Sequence, residues 1–465
     1  MNNTYHDLVD QTFNFPQEDI HLKNGYLQFN EVDVKGLIDK YGTPLKFTYL
    51  PKIGMQINKA KDMFARAFKK HKYEGEYHYC YCTKSSHFSF IVEEALKHDI
   101  HLETSYAYDI DIIHSLYKKK KITKDTYVIC NGFKEKSYTK AVARLINSGF
   151  RNVIPVLDNK DELKAYRRSV RSPFKIGIRV AAEEEPSFPF YTSRLGIRSR
   201  DILEFYVDEI EGNEDRFQLK MLHIFLNKGI KDDIYYWSEL NKVINLYCQL
   251  RKICPELDSI NIGGGFPIKH SLGFDYDYQF MINEIVRNIK SACKKSKVPM
   301  PNIFTEFGSF TVGESMANIY SVIGQKMQND QETWYMIDSS FITTLPDTWG
   351  IGEKFLMLPI NKWDVEYQKV KLGGMTCDSN DYYDSEEHIN EVFLPKIENG
   401  EPLYVGFFHT GAYQDQISGY GGIKHCLIPS PQHIIIDRDK NGKLVERVYA
   451  KQQSAQSMLK ILGYK

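Results

Sequence analysis

Tyr77-His78-Tyr79-Cys80-Tyr81-Cys82 is an apolar, strand-like run, and Lys84 stands two positions beyond its end. Comparable runs recur at residues 100–102, 127–130, 153–157, 176–180, 219–222, 260–262 and 303–305, spaced by helix-length stretches. Several finish on a residue able to do chemistry. Glu103 follows the second, Asn131-Gly132 the third and Asp158 the fourth, while Arg179 lies within the fifth. His223 closes the sixth, Gly263-Gly264-Gly265 the seventh and Glu306 the eighth. Alternating strands and helices imply a parallel sheet. Eight such repeats predict a (β/α)₈ TIM-like barrel, whose reactive groups collect at the C-terminal ends of the strands. A lysine, a carboxylate and a triple glycine would then face one mouth.

At 465 residues the chain is long enough for two domains. Sixty basic residues balance sixty acidic ones, so no net field draws nucleic acid or an acidic membrane. The basic cluster at residues 118–121 reads as a solvated surface. Eight cysteines lie scattered without a CxxC pair, which argues against zinc or a disulfide scaffold and for a reducing, cytoplasmic setting. Residues 1–15 have neither a basic nor an apolar leader region, so no signal peptide is expected. No run of 18 apolar residues suggests a membrane span.

Residues 1–42 read as a short irregular segment, partly extended at 27–34. Tyr41-Gly42-Thr43-Pro44 signals a turn, residues 45–50 a strand, and residues 51–70 place their apolar positions on one helical face. Crossover helices are expected at 88–98, 107–117, 138–146, 161–168, 237–253 and 278–294. A longer excursion at 181–200 carries Glu183-Glu184-Glu185, read as a solvated loop in preference to a source of negative potential for a cationic substrate. After Glu306 the pattern changes to β-rich runs at 316–325, 334–337, 354–358, 363–370 and 403–408. The expected division is therefore a barrel over 46–319 and a second, largely antiparallel β domain from 1–45 with 320–465.

A lysine just beyond a barrel strand can condense with an aldehyde when a dry pocket lowers its pKa. Glycines after strand seven let backbone N–H groups close on a phosphate, where barrels often bind one. A carboxylate ending strand eight can pair with a protonated pyridine nitrogen. Each has an ordinary reading too: a solvated lysine, a tight turn, a surface glutamate. Together the three are what pyridoxal 5'-phosphate requires.

These residues resemble the fold-type III pyridoxal-phosphate decarboxylases of basic amino acids. The resemblance runs from Tyr41 to about Pro431. Leu345-Pro346-Asp347-Thr348-Trp349-Gly350-Ile351, Met375-Thr376-Cys377-Asp378-Ser379, and Val405-Gly406-Phe407-Phe408 through Gly411-Ala412-Tyr413-Gln414 are similar to biosynthetic arginine decarboxylases. It implies decarboxylation of L-arginine to agmatine in polyamine biosynthesis, by a homodimer with shared active sites. In that family Lys84 would carry the cofactor, with Glu103 and Arg179 beside the linkage. Glu306 would hold the pyridine nitrogen, and Gly263, Gly264, Gly265 and Tyr413 the phosphate. Cys377 would return a proton to Cα. Asp378, together with Asp347, would face the substrate's cationic end, and Cys377 and Asp378 would come from the partner subunit.

The chain departs from the family in two places. Where an H-x-G-S motif usually follows strand six it has Phe225-Leu226-Asn227-Lys228, and Ser309 replaces the usual arginine after Glu306. Phe225 can still stack on a ring, and Lys228 is expected to supply the phosphate's missing positive charge. The chain also has no room for the helical insertions of the long biosynthetic enzymes. Rival readings are the same chemistry on ornithine, lysine or diaminopimelate, a catalytically silent regulatory homologue, and a barrel-type racemase.

Overall fold

The eight expected barrel strands form, and each pairs in parallel with the next. In chain order they are Tyr77–Cys82, His101–Thr104, Val128–Cys130, Val153–Leu157, Phe174–Arg179, Phe217–His223, Ser259–Asn261 and Asn302–Phe307. Pairing of Ile303 with Tyr77 brings the eighth strand onto the first and closes the barrel. The structure, a computed structural model, describes residues 3–183, 193–397 and 400–464. Glu184 and Glu185 lie outside them.

The chain divides into two units, Gly54–Pro267 with Tyr276–Thr311, and Met1–Ile53 with Ile268–Asp275 and Val312–Lys465. In the barrel unit, Cys80, Ile129, Ile154, Val156, Met221 and Phe304 pack together as buried side chains. Crossover helices run at Ser89–Ala95, Ala107–Lys118, Lys136–Asn147, Asp161–Ser169, Ser199–Glu209, Ile234–Leu250 and Tyr278–Ser296. Side-chain caps start three of them: Glu135 accepts from the Ser137 amide, Asp233 from the Tyr236 amide, and Asp277 from that of Phe280.

The second unit is built on a ten-stranded sheet. Its long strand Met316–Gln328 pairs antiparallel with Leu45–Tyr49, Glu332–Ile337 and Tyr404–Phe408. Two pairings in this largely antiparallel sheet are parallel: Leu45–Tyr49 with Gln432–Arg438, and Glu332–Ile337 with Tyr367–Gly373.

The irregular reading of residues 1–42 is corrected here. Tyr5–Thr12 and Val34–Tyr41 are helices, capped by Thr4 and Asp33, and Ile20–Lys23, Tyr26–Phe29 and Val32–Asp33 form a three-stranded sheet. Asn24 and Gly25, with φ of 53° and 78°, make the tight turn between the first two strands. Ile20, Leu27 and Phe29 are fully buried, in one core with Phe47, Ile319 and Phe408.

Buried imidazoles make this fold sensitive to acid. Burial pulls the pKa of His433 down to about 3, and its Nε2 lies 2.8 Å from Thr48 Oγ1. Burial likewise brings His101 to about 4. Below about pH 6.5 the unfolded chain therefore binds protons the native state refuses. This contribution is complete above that pH and is lost as pH falls toward 4 and then 3. The unfolding free energy from denaturant titrations between pH 7 and 4 should fall by up to about 1.4 kcal/mol per pH unit for each such imidazole. His433→Gln should flatten the slope, and an unchanged slope would remove His433 as a contributor.

Candidate active site

The C-terminal ends of the barrel strands converge on a cavity of about 500 Å³. Its lining includes Lys84, Glu103, Asn131, Arg179, His223 and Glu306, which come from the ends of six different strands. Lys84 sits in the short turn Thr83–Ser85 directly after strand one. Its Nζ donates to Glu103 Oε2 at 2.8 Å. Glu103 is fully buried, and its other oxygen accepts from Asn131 Nδ2 at 3.2 Å.

The same Asn131 amide donates to Glu306 Oε2 at 2.9 Å, so one side chain bridges two buried carboxylates. Glu306 also accepts from His223 Nε2 at 3.1 Å and from Asn261 Nδ2 at 2.5 Å. Burial alone would raise its pKa. The imidazole, the Lys84 charge and the Asn131 amide outweigh that and draw it down to about 2, so it stays ionised at neutral pH.

The glycine run fixes where Glu306 stands. A Cβ on Gly264 would lie 2.2 Å from the Glu306 carbonyl oxygen, and one on Gly263 2.6 Å from that of Ile224. Only glycine lets strand seven's exit lie this close to its neighbours. Gly263 O accepts from the Glu306 amide, whereas the amides of Gly264 and Gly265 donate to no acceptor among the described residues. Two free N–H groups in a glycine turn make a local anion cradle.

Phe225 also lines the cavity, and the Arg179 guanidinium lies 6.0 Å from its ring centroid. Lys228 is exposed three residues further on and is not among the cavity's lining residues, whereas Arg194 is.

The remaining expected site residues belong to the second unit. Tyr413, with φ of 68°, precedes the helix Gln414–Ser418, which the buried Lys46–Asp415 ion pair ties to the sheet. Asp347 accepts from Gln414 Nε2 at 2.7 Å, and burial raises its pKa. Cys377 is exposed and Asp378 half-buried, in a loop organised by buried Asp381. Asp381 accepts from the Phe341 amide at 2.8 Å and from the Thr376 hydroxyl at 2.7 Å. Cys377 Sγ lies 3.4 Å from Cys426 Sγ, and that contact pushes its thiol above the usual pKa.

Asn131 and His223 were visible in the sequence as strand-end residues but had no role there, and Asn261 was hidden inside an apolar run. The signal was available: polar side chains at barrel strand ends point toward the mouth.

The family described as pyridoxal-dependent decarboxylase, pyridoxal binding domain, matches residues 55–313, more than half of the chain. The chain belongs to the pyridoxal-dependent decarboxylases. Among curated relatives of this decarboxylase, the biosynthetic arginine decarboxylase of Prochlorococcus marinus strain AS9601 is 21% identical, over 88% of this chain and 81% of that protein. Biosynthetic arginine decarboxylase 2 of Synechocystis is 20% identical, over 91% and 82%. The fold is also that of solved structures. The Campylobacter jejuni biosynthetic arginine decarboxylase superposes with a TM-score of 0.81 at 20% identity, covering 99% of this chain and 92% of that one. The M. jannaschii diaminopimelate decarboxylase gives 0.77 at 17% identity, covering 95% and 97%.

The decarboxylase's cofactor is pyridoxal 5'-phosphate, and the cavity fits it. Ser105 Oγ, Asn131 Oδ1 and His223 Nδ1 are buried atoms of lining residues without a partner among the described residues. Buried polar atoms of this kind call for a polar ligand. Glu306 has three donors, and an ionised carboxylate offers about four acceptor sites, which leaves one for a ring N–H. Among the described residues no helix is long and apolar enough to cross a membrane.

Proposed function

We propose that this decarboxylase converts L-arginine to agmatine and carbon dioxide, as a cytoplasmic homodimer with shared sites serving polyamine biosynthesis. The observation that carries the chemistry is the hydrogen-bonded series Lys84–Glu103–Asn131–Glu306–His223 at one barrel mouth. The choice of arginine rests on the stretches around Asp347, Cys377 and Tyr413 and on the relatives named as arginine decarboxylases.

When bound, pyridoxal phosphate supplies an electron-withdrawing ring that accepts the charge left at Cα as carbon dioxide departs. Lys84 holds the group through its amine, and Glu103 aims that amine into the cavity. Glu306 favours a proton on the ring nitrogen; each unit of pKa it adds there is worth about 1.4 kcal/mol. Asn131 and His223 keep Glu306 in place, while Phe225 would offer an aromatic face for the ring to stack on, with Arg179 beside the linkage. The free amides of Gly264 and Gly265, set by the Gly263 turn, and the Tyr413 hydroxyl would take the phosphate, with Lys228 adding positive charge. Cys377 of the partner subunit protonates Cα. Asp378 and Asp347 accept from the guanidinium, whose planar fork suits paired carboxylate oxygens better than an ammonium does.

The test is carbon dioxide release from arginine, ornithine, lysine and diaminopimelate by the purified, cofactor-loaded protein. Arginine should exceed the others in kcat/KM by about 100-fold or more. A different preferred amino acid would reassign the substrate, and no release from any would leave a silent homologue. Lys228→Ala should weaken cofactor binding about tenfold, or roughly 1.4 kcal/mol. Wild-type affinity in that variant would remove Lys228 from the phosphate site.

A further inference from the structure

The sequence spacing argued against a zinc site, yet the second unit assembles a soft-ligand cluster from residues far apart in the chain. Cys377 and Cys426 are 49 positions apart with their sulfurs 3.4 Å from each other. The ligand atoms of Cys377, His425 and Cys426 all lie within 4.8 Å of one another, and all three residues are exposed. We propose that Cys377, His425 and Cys426 form a binding site for a thiol-seeking divalent cation of the zinc type, with its fourth position open to water.

The sulfur separation favours a metal over a disulfide. Two thiolates on a tetrahedral zinc at about 2.3 Å stand about 3.8 Å apart. A disulfide requires about 2.05 Å. The observed spacing needs a few tenths of an ångström of opening to take the metal, but more than 1 Å of closure to form the bond. A modest swing of the exposed imidazole completes the set.

Both ligand loops are anchored independently of any ion. Asp381 fixes the Cys377 loop through Thr376 and Phe341, and a Cβ on Gly374 would lie 2.2 Å from its carboxylate. On the other side, buried Lys424, immediately before His425, donates to the carbonyls of Ser418 and Gly419 at 2.7 and 3.1 Å. Cys426 and Leu427 have φ of 52° and 56°, a conformation non-glycine residues hold only where their surroundings impose it. Ligands fixed in this way lose little further freedom on binding the ion.

A loaded site would withdraw the Cys377 sulfur from proton transfer, a consequence that rests on the role proposed above for that residue. The binding test needs no turnover, so failure of that role would leave the site standing. The full-length, cofactor-loaded protein, reduced and kept free of oxygen, is titrated with cobalt(II) and then with zinc. One cobalt per chain should give ligand-field absorption in the red, where neither protein nor cofactor absorbs, and zinc should abolish it. Cys426→Ser should weaken zinc binding about 100-fold and His425→Ala at least about tenfold, by the scale of losses at metal sites. Absence of the red absorption in the wild type, or its persistence at full intensity in both variants, overturns the proposal.

Discussion

Lys84→Ala should give a protein without visible cofactor absorption, releasing carbon dioxide at least about 10⁴-fold more slowly than wild type. The substitution removes the amine through which the group is held, and no neighbouring side chain replaces it by shape. The Lys84 side chain is 43% exposed, so its truncation leaves no core cavity. Glu103, fully buried, keeps its hydrogen bond from Asn131 but loses its cationic partner. A modest fall in thermal stability should therefore accompany the loss of activity. Retention of both colour and turnover in the variant would end the assignment of Lys84, and the reading of the cavity with it.

Glu306→Gln should separate cofactor binding from catalysis. Glu306 is an acceptor for Asn131, Asn261 and His223 at once. An amide in its place turns an N–H toward one of those donors, a buried mismatch worth about 1–3 kcal/mol. It also replaces the charge that keeps the ring nitrogen protonated. With Lys84 intact, the purified variant should remain coloured while kcat drops about 10²–10³-fold, equivalent to about 2.7–4 kcal/mol. Absorption followed against pH should show the ring nitrogen losing its proton at lower pH than in wild type. Wild-type kcat with an unchanged titration would place the ring nitrogen elsewhere.

The barrel was legible because its strands are short apolar runs that stop abruptly at a polar or glycine residue. Cys82 before Thr83-Lys84 and Ile262 before the three glycines are such stops. Lys84, Glu103, Arg179 and Glu306, singled out in sequence, do line one cavity. Asn261 was not legible, because strand seven is buried on both faces and its neighbours Ile260 and Ile262 set the pattern. The residue is nonetheless fully buried, and its side chain serves both Glu306 and the Gly263 amide. The N-terminal sheet was missed for a different reason. Its strands are only two to four residues long, too short for alternation to register, although Asn24-Gly25 was a hairpin signal. The Cys377–Cys426 approach depends wholly on tertiary folding, and no local pattern announces it.

The second unit is stitched from segments that flank the barrel in the chain, Met1–Ile53 before it and Val312–Lys465 after it. During translation, its N-terminal segment emerges before the barrel and then waits while roughly 260 residues are added. At the usual 5–20 residues per second this is on the order of 10 to 50 s. Throughout that interval Ile20, Leu27 and Phe29 lack Ile319 and Phe408, the partners that bury them. The newborn chain thus carries an unsheltered apolar hairpin while its barrel is still being made, and a ribosome-associated holdase that shields short apolar hairpins would raise its yield.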